Sequence, residues 1–200
     1  MKDIIEIDEL VRNLKKLPNV TSKQADKIVQ HILNANEEEV EELLSAIRNV
    51  RDHIQYCQKC NNISLTTICD ICSNELRNKE QVCIVSSPED VDKIENTNSY
   101  SGVYFVLHEE VNVKKKTPLN RKTTQKLLNY LKENEVKEII LATNWTPNGE
   151  ATAIFIKGIV NQMYPSVSIY RLADGLPINS ALKYADNETL AHSLKNKTKY

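Results

Sequence analysis

Four of the chain's five cysteines stand as two close pairs, Cys57-x-x-Cys60 and Cys69-x-x-Cys72, with eight residues between them. Two thiolates spaced this way reach one ion from a single tight turn, and two such turns complete a tetrahedral four-sulfur shell. That donor set suits zinc. Every coordination position is filled by a protein thiolate, so the ion is expected to be structural, one per chain, with no open position to activate water. A thioredoxin-type redox pair is the alternative use of C-x-x-C, but it is normally a single motif at a helix start after a strand. The short link predicts a small hairpin around the ion. Cys83 falls inside an apolar run, Val82-Cys83-Ile84-Val85, and reads as a core thiol rather than a fifth ligand.

The rest of the composition removes several function classes. The 200 residues contain four glycines, at 102, 149, 158 and 175, so neither a Walker A loop nor a G-x-G-x-x-G fingerprint can be written. No H-E-x-x-H or G-x-S-x-G motif occurs among His31, His53, His108, His192 and the serines. Lys plus Arg number 26 against 27 for Asp plus Glu, a net charge of −1, which excludes a uniformly basic nucleic-acid binder but not a local basic face. The opening MKDIIEIDEL does not read as a signal peptide, and no stretch approaches the ~20 apolar residues of a membrane span. A cytoplasmic protein is expected, in which clustered cysteines bind metal rather than form disulfides.

Apolar periodicity predicts helices through residues 6–56. Ile7, Leu10, Val11, Leu14 and Leu17 form one stripe; Ala25, Ile28, Val29, Ile32 and Leu33 form a second. Between them lies Pro18-Asn19-Val20-Thr21, with Thr21 or Ser22 as the cap of the next helix. Asn36 and Glu37–Glu39 begin a third helix, whose buried stripe should be Val40, Leu43, Leu44, Ile47 and Val50. After residue 80 strands and helices alternate. Strands are expected at 81–86, 103–107, 138–142 and 167–172, and helices at 88–95, 119–132 and 149–163. That order implies βαβ units and a largely parallel sheet covered on both faces.

Two basic clusters stand out. Arg12, Lys15, Lys16, Lys23 and Lys27 surround the first helical connection against Asp26 alone, a patch that would favour a polyanion. Lys114-Lys115-Lys116, with Arg121, Lys122 and Lys126, lies in a stretch with no acid between 111 and 126 and reads either as a solvated helix face or as a second duplex contact. Trp145 follows the third strand, where open sheets place ligand contacts, so its exposure would suggest a partner surface. Gly102 opens a strand where backbone should approach closely, and Gly175-Leu176-Pro177 reads as a turn.

Several blocks in order carry a resemblance to a known family. They are Leu17-Pro18 with Lys23 and Lys27, the four cysteines, Cys83-Ile84-Val85 with Pro88 and Asp90, and Tyr100 to Leu107. Leu141-Ala142-Thr143-Asn144, Gly149-Glu150-Ala151-Thr152-Ala153, Arg171 to Pro177, Tyr184-Ala185-Asp186 and Thr189-Leu190 follow. Together they resemble the bacterial RecR recombination mediators over essentially the whole chain. The resemblance implies an α+β protein of several parts. These are a helix-hairpin-helix segment (1–56), a four-cysteine zinc finger (57–80), a Toprim-like α/β domain with a mostly parallel sheet (81–175) and a C-terminal assembly segment (176–200). It implies a non-enzymatic role in DNA repair by homologous recombination. Partners would be RecO and in some systems RecF, and the task would be to help load RecA onto single strands coated by single-strand-binding protein. Implied too are dimers or ring tetramers around duplex DNA or at single/double-strand junctions, a nucleoid-associated location and no membrane. Lys16, Lys23 and Lys27 would meet DNA, and Glu150 would meet RecO.

The chain departs from the family pattern in four places. Asn19 and Thr21 stand where the hairpin carries glycines, so backbone geometry there is expected to change. Asn148 takes an acidic position beside Gly149-Glu150, and Asn179 and Ser180 replace glycines. Catalytic Toprim enzymes hold Mg²⁺ with a Glu after the first strand and Asp-x-Asp after the third; the matching positions here are Ser86, Asn144 and Thr146. Two other readings stay open on sequence alone: a RecO-docking scaffold that does not grip DNA, and a metal-dependent Toprim nuclease or topoisomerase.

Overall fold

The computed structural model describes residues 4–172 and 186–195, and the chain divides into two compact units after Ile54. Gly175-Leu176-Pro177, Asn179, Ser180 and Tyr184 lie outside the described residues. Among the described residues no helix is long and apolar enough to cross a membrane.

The first unit holds α1 (Ile5–Leu14), α2 (Ser22–Asn34) and α3 (Glu37–His53). Thr21 and Asn36 close capping boxes at the starts of α2 and α3, each accepting from the backbone N–H three residues on while Gln24 or Glu39 reaches back. Asn19 takes the left-handed backbone, φ 62°, that the tight connection requires, whereas Thr21 is extended at φ −80°. Asn is among the few side chains that tolerate the first conformation, and a β-branched residue suits the second. Asn19 and Thr21 therefore both sit in conformations their side chains tolerate.

The expected burial of α3 is corrected by the structure. No residue of α3 is buried, and Leu43, Ile47 and Val50 are each more than half exposed. Ala25 and Val29 of α2 are the fully buried apolar residues of this unit among those described. Periodicity shows that a helix is amphipathic; it does not show what covers its apolar side. Three short helices alone enclose little volume.

The second unit opens with a two-stranded antiparallel hairpin, β1 (Gln55–Tyr56) and β2 (Ile63–Ser64), followed by the single-turn α4 (Asp70–Ser73). Then come β3 (Asn78–Val85), α5 (Pro88–Glu95), β4 (Gly102–Val106), α6 (Arg121–Glu133), β5 (Glu138–Ala142), α7 (Pro147–Met163) and β6 (Ser168–Arg171); α8 spans Asn187–Lys195. The four-stranded sheet runs β4-β3-β5-β6, parallel throughout.

Alternation along the strands sorts the core into two layers. Val82, Ile84, Val103, Phe105, Ile139 and Leu141 pack with Leu127, Tyr130 and Leu131 of α6, with Ala153, Ile156 and Val160 of α7, and with the four cysteines. Cys83, Val85, Tyr104 and Val106 pack with Val91 and Ile94 of α5. Both faces are therefore covered, and the strands can be apolar at every position. Arg77 holds the start of β4, donating to the Gly102 carbonyl at 3.2 Å and pairing with Glu95 of α5. A Cβ at Gly102 would sit 2.6 Å from the Gln81 carbonyl oxygen, which accounts for glycine at that close approach.

A second correction concerns Lys114–Lys116. They lie in an exposed loop, not on a helix face, and α6 begins only at Arg121. Lys116 has a left-handed backbone, φ 52°, and Pro118 disfavours helical geometry at Thr117, so the helix cannot include the three lysines.

Candidate metal centre and nucleic-acid interface

Cys57 leaves β1, Cys60 sits in the turn that follows, and Cys69 and Cys72 bracket the start and third residue of α4. All four are buried, and their sulfurs lie within 4.8 Å of one another; Cys60 and Cys69 Sγ are 3.6 Å apart. A tetrahedral zinc with bonds of about 2.3 Å places its sulfurs about 3.8 Å apart, so the cluster needs little adjustment to hold one. Among the described residues this is the group of three or more metal-capable side chains that converges. Backbone N–H groups already face the sulfurs: Asn62 donates to Cys60 Sγ at 3.4 Å and Cys69 to Cys57 Sγ at 3.3 Å. The hydrogen bond shared with Cys60 holds the Cys69 thiol far below its ordinary 9.0, at about 2, and pushes Cys60 up. Four buried sulfurs at these separations are the donor set a soft or borderline divalent cation satisfies. Cys83 is separate: burial pushes its thiol up to about 12.

The turn that carries Cys60 is fastened to the sheet. Val106 of the edge strand β4 donates its N–H to the Cys60 carbonyl at 2.8 Å. Asn61, left-handed at φ 64°, returns the bond by donating Nδ2–H to the Val106 carbonyl at 3.2 Å. The Asn61 carbonyl is 2.7 Å from His108 Nε2, and Asn61 Oδ1 accepts from Lys126 of α6. Asn61 was not singled out by sequence; an Asn directly after C-x-x-C, where left-handed backbone is common, was the available signal.

In the helical unit, Lys16, Lys23 and Lys27 are exposed, with Lys23 and Lys27 one turn apart on α2. Arg12, Lys15, Lys16, Lys23 and Lys27 form no ion pair, and the N–H groups of Ser22 and Lys23 find no partner among the described residues. A capped helix start with unpaired cations around it is a suitable seat for phosphate.

At the carboxyl end of the sheet Ser86, Asn144 and Thr146 behave differently from one another. Ser86 Oγ donates to Glu110 Oε1 at 2.7 Å, and Asn144 Nδ2 donates to the same oxygen at 2.9 Å. Thr146 instead caps α7 by accepting from Gly149 N–H at 3.1 Å. Spacing offered no signal for Glu110, which reaches across 24 and 34 residues to these partners. A Cβ on Gly149 would lie 2.8 Å from the Asn144 backbone carbon, so the loop and α7 can meet this closely only at glycine. Arg171 of β6 donates to the carbonyls of Leu141 and Thr143, both at 2.8 Å, and its guanidinium lies 4.1 Å over the Trp145 ring. Glu150 pairs with Arg171 at 3.5 Å, and Trp145 is 53% exposed.

Comparison with known proteins agrees with this arrangement. A RecR helix-hairpin-helix model matches residues 7–51, a Toprim domain model residues 80–173, and a RecR C-terminal model residues 175–198. The chain is 36% identical over 198 residues to recombination protein RecR of Clostridium perfringens, covering 97% of this chain and 96% of that protein. It is 34% identical over 199 residues to recombination protein RecR of Ureaplasma urealyticum, covering 100% and 98%. The RecR of Bifidobacterium adolescentis is 36% identical over 188 residues, covering 94% and 93%. A helical hairpin, a four-cysteine metal cluster and a parallel Toprim sheet, matched along their length by these relatives, mean that the chain belongs to the RecR family of recombination proteins.

Proposed function

We propose that this chain is a zinc-stabilised, DNA-binding scaffold of recombinational repair. It works in the cytoplasm at the nucleoid with RecO, and with RecF where that protein is present, to help load RecA onto single strands coated by single-strand-binding protein. Membership in a family of recombination proteins supports the repair role. The observation that carries the DNA-binding part is the set of exposed lysines Lys16, Lys23 and Lys27 around the capped start of α2, none of them in an ion pair among the described residues. Cations without carboxylate partners release counterions from a phosphate backbone at little internal cost.

Zinc is the metal that four thiolates at these separations fit, with a structural role and one ion per chain. The parts of the protein are taken as 1–56, 57–80, 81–175 and 176–200, the last serving assembly. The uncovered stripe Leu43, Ile47 and Val50 on α3 supports a homo-oligomer, dimer or ring tetramer, because apolar surface of this kind is normally covered. Glu150, beside exposed Trp145 and Arg171, is the proposed RecO contact. No catalytic role is assigned: with Ser86, Asn144 and Thr146 in the carboxylate positions, a hard divalent cation would meet neutral groups.

Reconstituted RecA loading onto coated gapped DNA with RecO tests this. Glu150→Lys should abolish RecO association while metal content is retained. Lys23→Glu/Lys27→Glu should leave RecO association intact and stop loading. Normal loading by the lysine variant would instead support a scaffold that does not grip DNA.

A further inference from the structure

The α/β unit carries a second cluster of cations that none of the roles above uses. Lys114, Lys115, Lys116, Arg121, Lys122 and Lys126 fall within 13 residues with no acid among them. The first three crown an ordered loop. Asn112 and Thr117 exchange both backbone hydrogen bonds, at 2.9 and 3.0 Å, and Lys115 N–H donates to Asn112 Oδ1 at 2.8 Å. The base of the loop is fixed to α7: Val111 N–H donates to Thr152 Oγ1 at 2.8 Å and Val113 N–H to Asn148 Oδ1 at 3.1 Å.

Two acids precede the cluster, and neither pairs with it among the described residues. Glu109 accepts from the Asn120 N–H at 2.9 Å, and Glu110 accepts from Ser86 and Asn144. None of the six cations forms an ion pair among the described residues, and Lys126 is bonded to the neutral Asn61. Five of the six are exposed. Six cations on an ordered loop and the start of a helix, set against the Glu109 carboxylate at that helix start, leave a net positive field that favours an external polyanion.

We propose that residues 114–126 form a second nucleic-acid contact, one that grips the phosphate backbone of duplex DNA without reading sequence. Duplex rather than single strand follows from what the stretch lacks. Between Phe105 and Tyr130, both buried, there is no Phe, Tyr or Trp on which bases could stack. The proposal rests on the chain's acting on DNA but not on the hairpin being the grip.

The test uses full-length, metal-loaded protein and a mixed-sequence blunt duplex. Lysine acetylation is mapped with and without the duplex. Affinity is then followed against salt for wild type, Lys114→Ala/Lys115→Ala/Lys116→Ala and Lys23→Glu/Lys27→Glu. The expected result is protection of Lys114–Lys116, with affinity about tenfold lower and a salt slope smaller by about two to three in the loop variant. That result with an unaffected hairpin variant supports this contact and removes the hairpin reading. Unchanged labelling and an unchanged slope in the loop variant overturn the proposal, and would leave an acidic protein segment as the ligand of the patch. Absence of duplex binding by wild type at low salt overturns both.

Discussion

The Cys60 carbonyl accepts a 2.8 Å hydrogen bond from the Val106 N–H, so the first metal-binding turn is joined to the edge strand of the α/β sheet. The four-cysteine segment is therefore built onto the Toprim unit rather than tethered to it. Its sulfurs belong to the same apolar core as Phe105, Tyr130 and Ile139. Losing the metal should then be felt in the sheet as well as in the hairpin.

Asn61 is the second half of that joint. Asn61→Gly keeps the left-handed backbone but removes the bonds to Val106 and Lys126, and should cost about 1 kcal/mol. Asn61→Ala adds strain at φ 64° and should cost more, about 2 kcal/mol. Denaturant unfolding of the metal-loaded proteins checks the order; equal stability of Asn61→Ala and wild type would contradict the joint.

Thiol reactivity separates the two kinds of cysteine. With metal bound, a thiol reagent near pH 8 should find no reactive cysteine in the folded protein. After chelation four should react, while Cys83, 2% exposed with its thiol pushed up to about 12, stays silent until the chain unfolds. Cys57→Ser should lose the metal and destabilise the chain, because a structural site contributes folding free energy. Rapid labelling of Cys83 in the native state would contradict the core assignment.

The Arg77–Glu95 pair makes a pH prediction. The Arg77 guanidinium, helped by a 2.5 Å bond from Tyr104 O–H, holds the Glu95 carboxyl below its ordinary 4.5. A depressed carboxyl contributes stability that is present above its unfolded value and lost as pH falls through the lower folded value. Glu95→Gln should thus narrow its deficit against wild type as pH drops below about 4.5. At neutral pH the deficit should be about 1–3 kcal/mol. Thermal melts of both proteins across pH 3–7, in roughly that range, measure it; a deficit that does not shrink in acid would contradict the pairing.

Local pattern made much of this legible. The helix at Pro88–Glu95 and the strand at Glu138–Ala142 lie where punctuation and apolar runs place them, and the cysteine spacing alone located the metal cluster. What stayed hidden depends on distant contacts or absent ones. Asn61 meets Val106 across 45 residues, and Glu110 meets Asn144 across 34, distances over which spacing carries no signal. The α3 stripe has correct helical periodicity yet is uncovered within one chain. Charge pattern does not reveal which cations a helix carries; a left-handed Lys116 and Pro118 leave Lys114–Lys116 in the loop before it.

DNA binding by the proposed contacts Lys23 and Lys27 is tested most directly by salt-dependent binding to a gapped duplex. Wild type should lose affinity steeply as salt rises, and Lys23→Glu/Lys27→Glu should bind far more weakly at every salt, with a slope smaller by about two. Equal affinity and equal slope for the two proteins, both folded and metal-loaded, would contradict it.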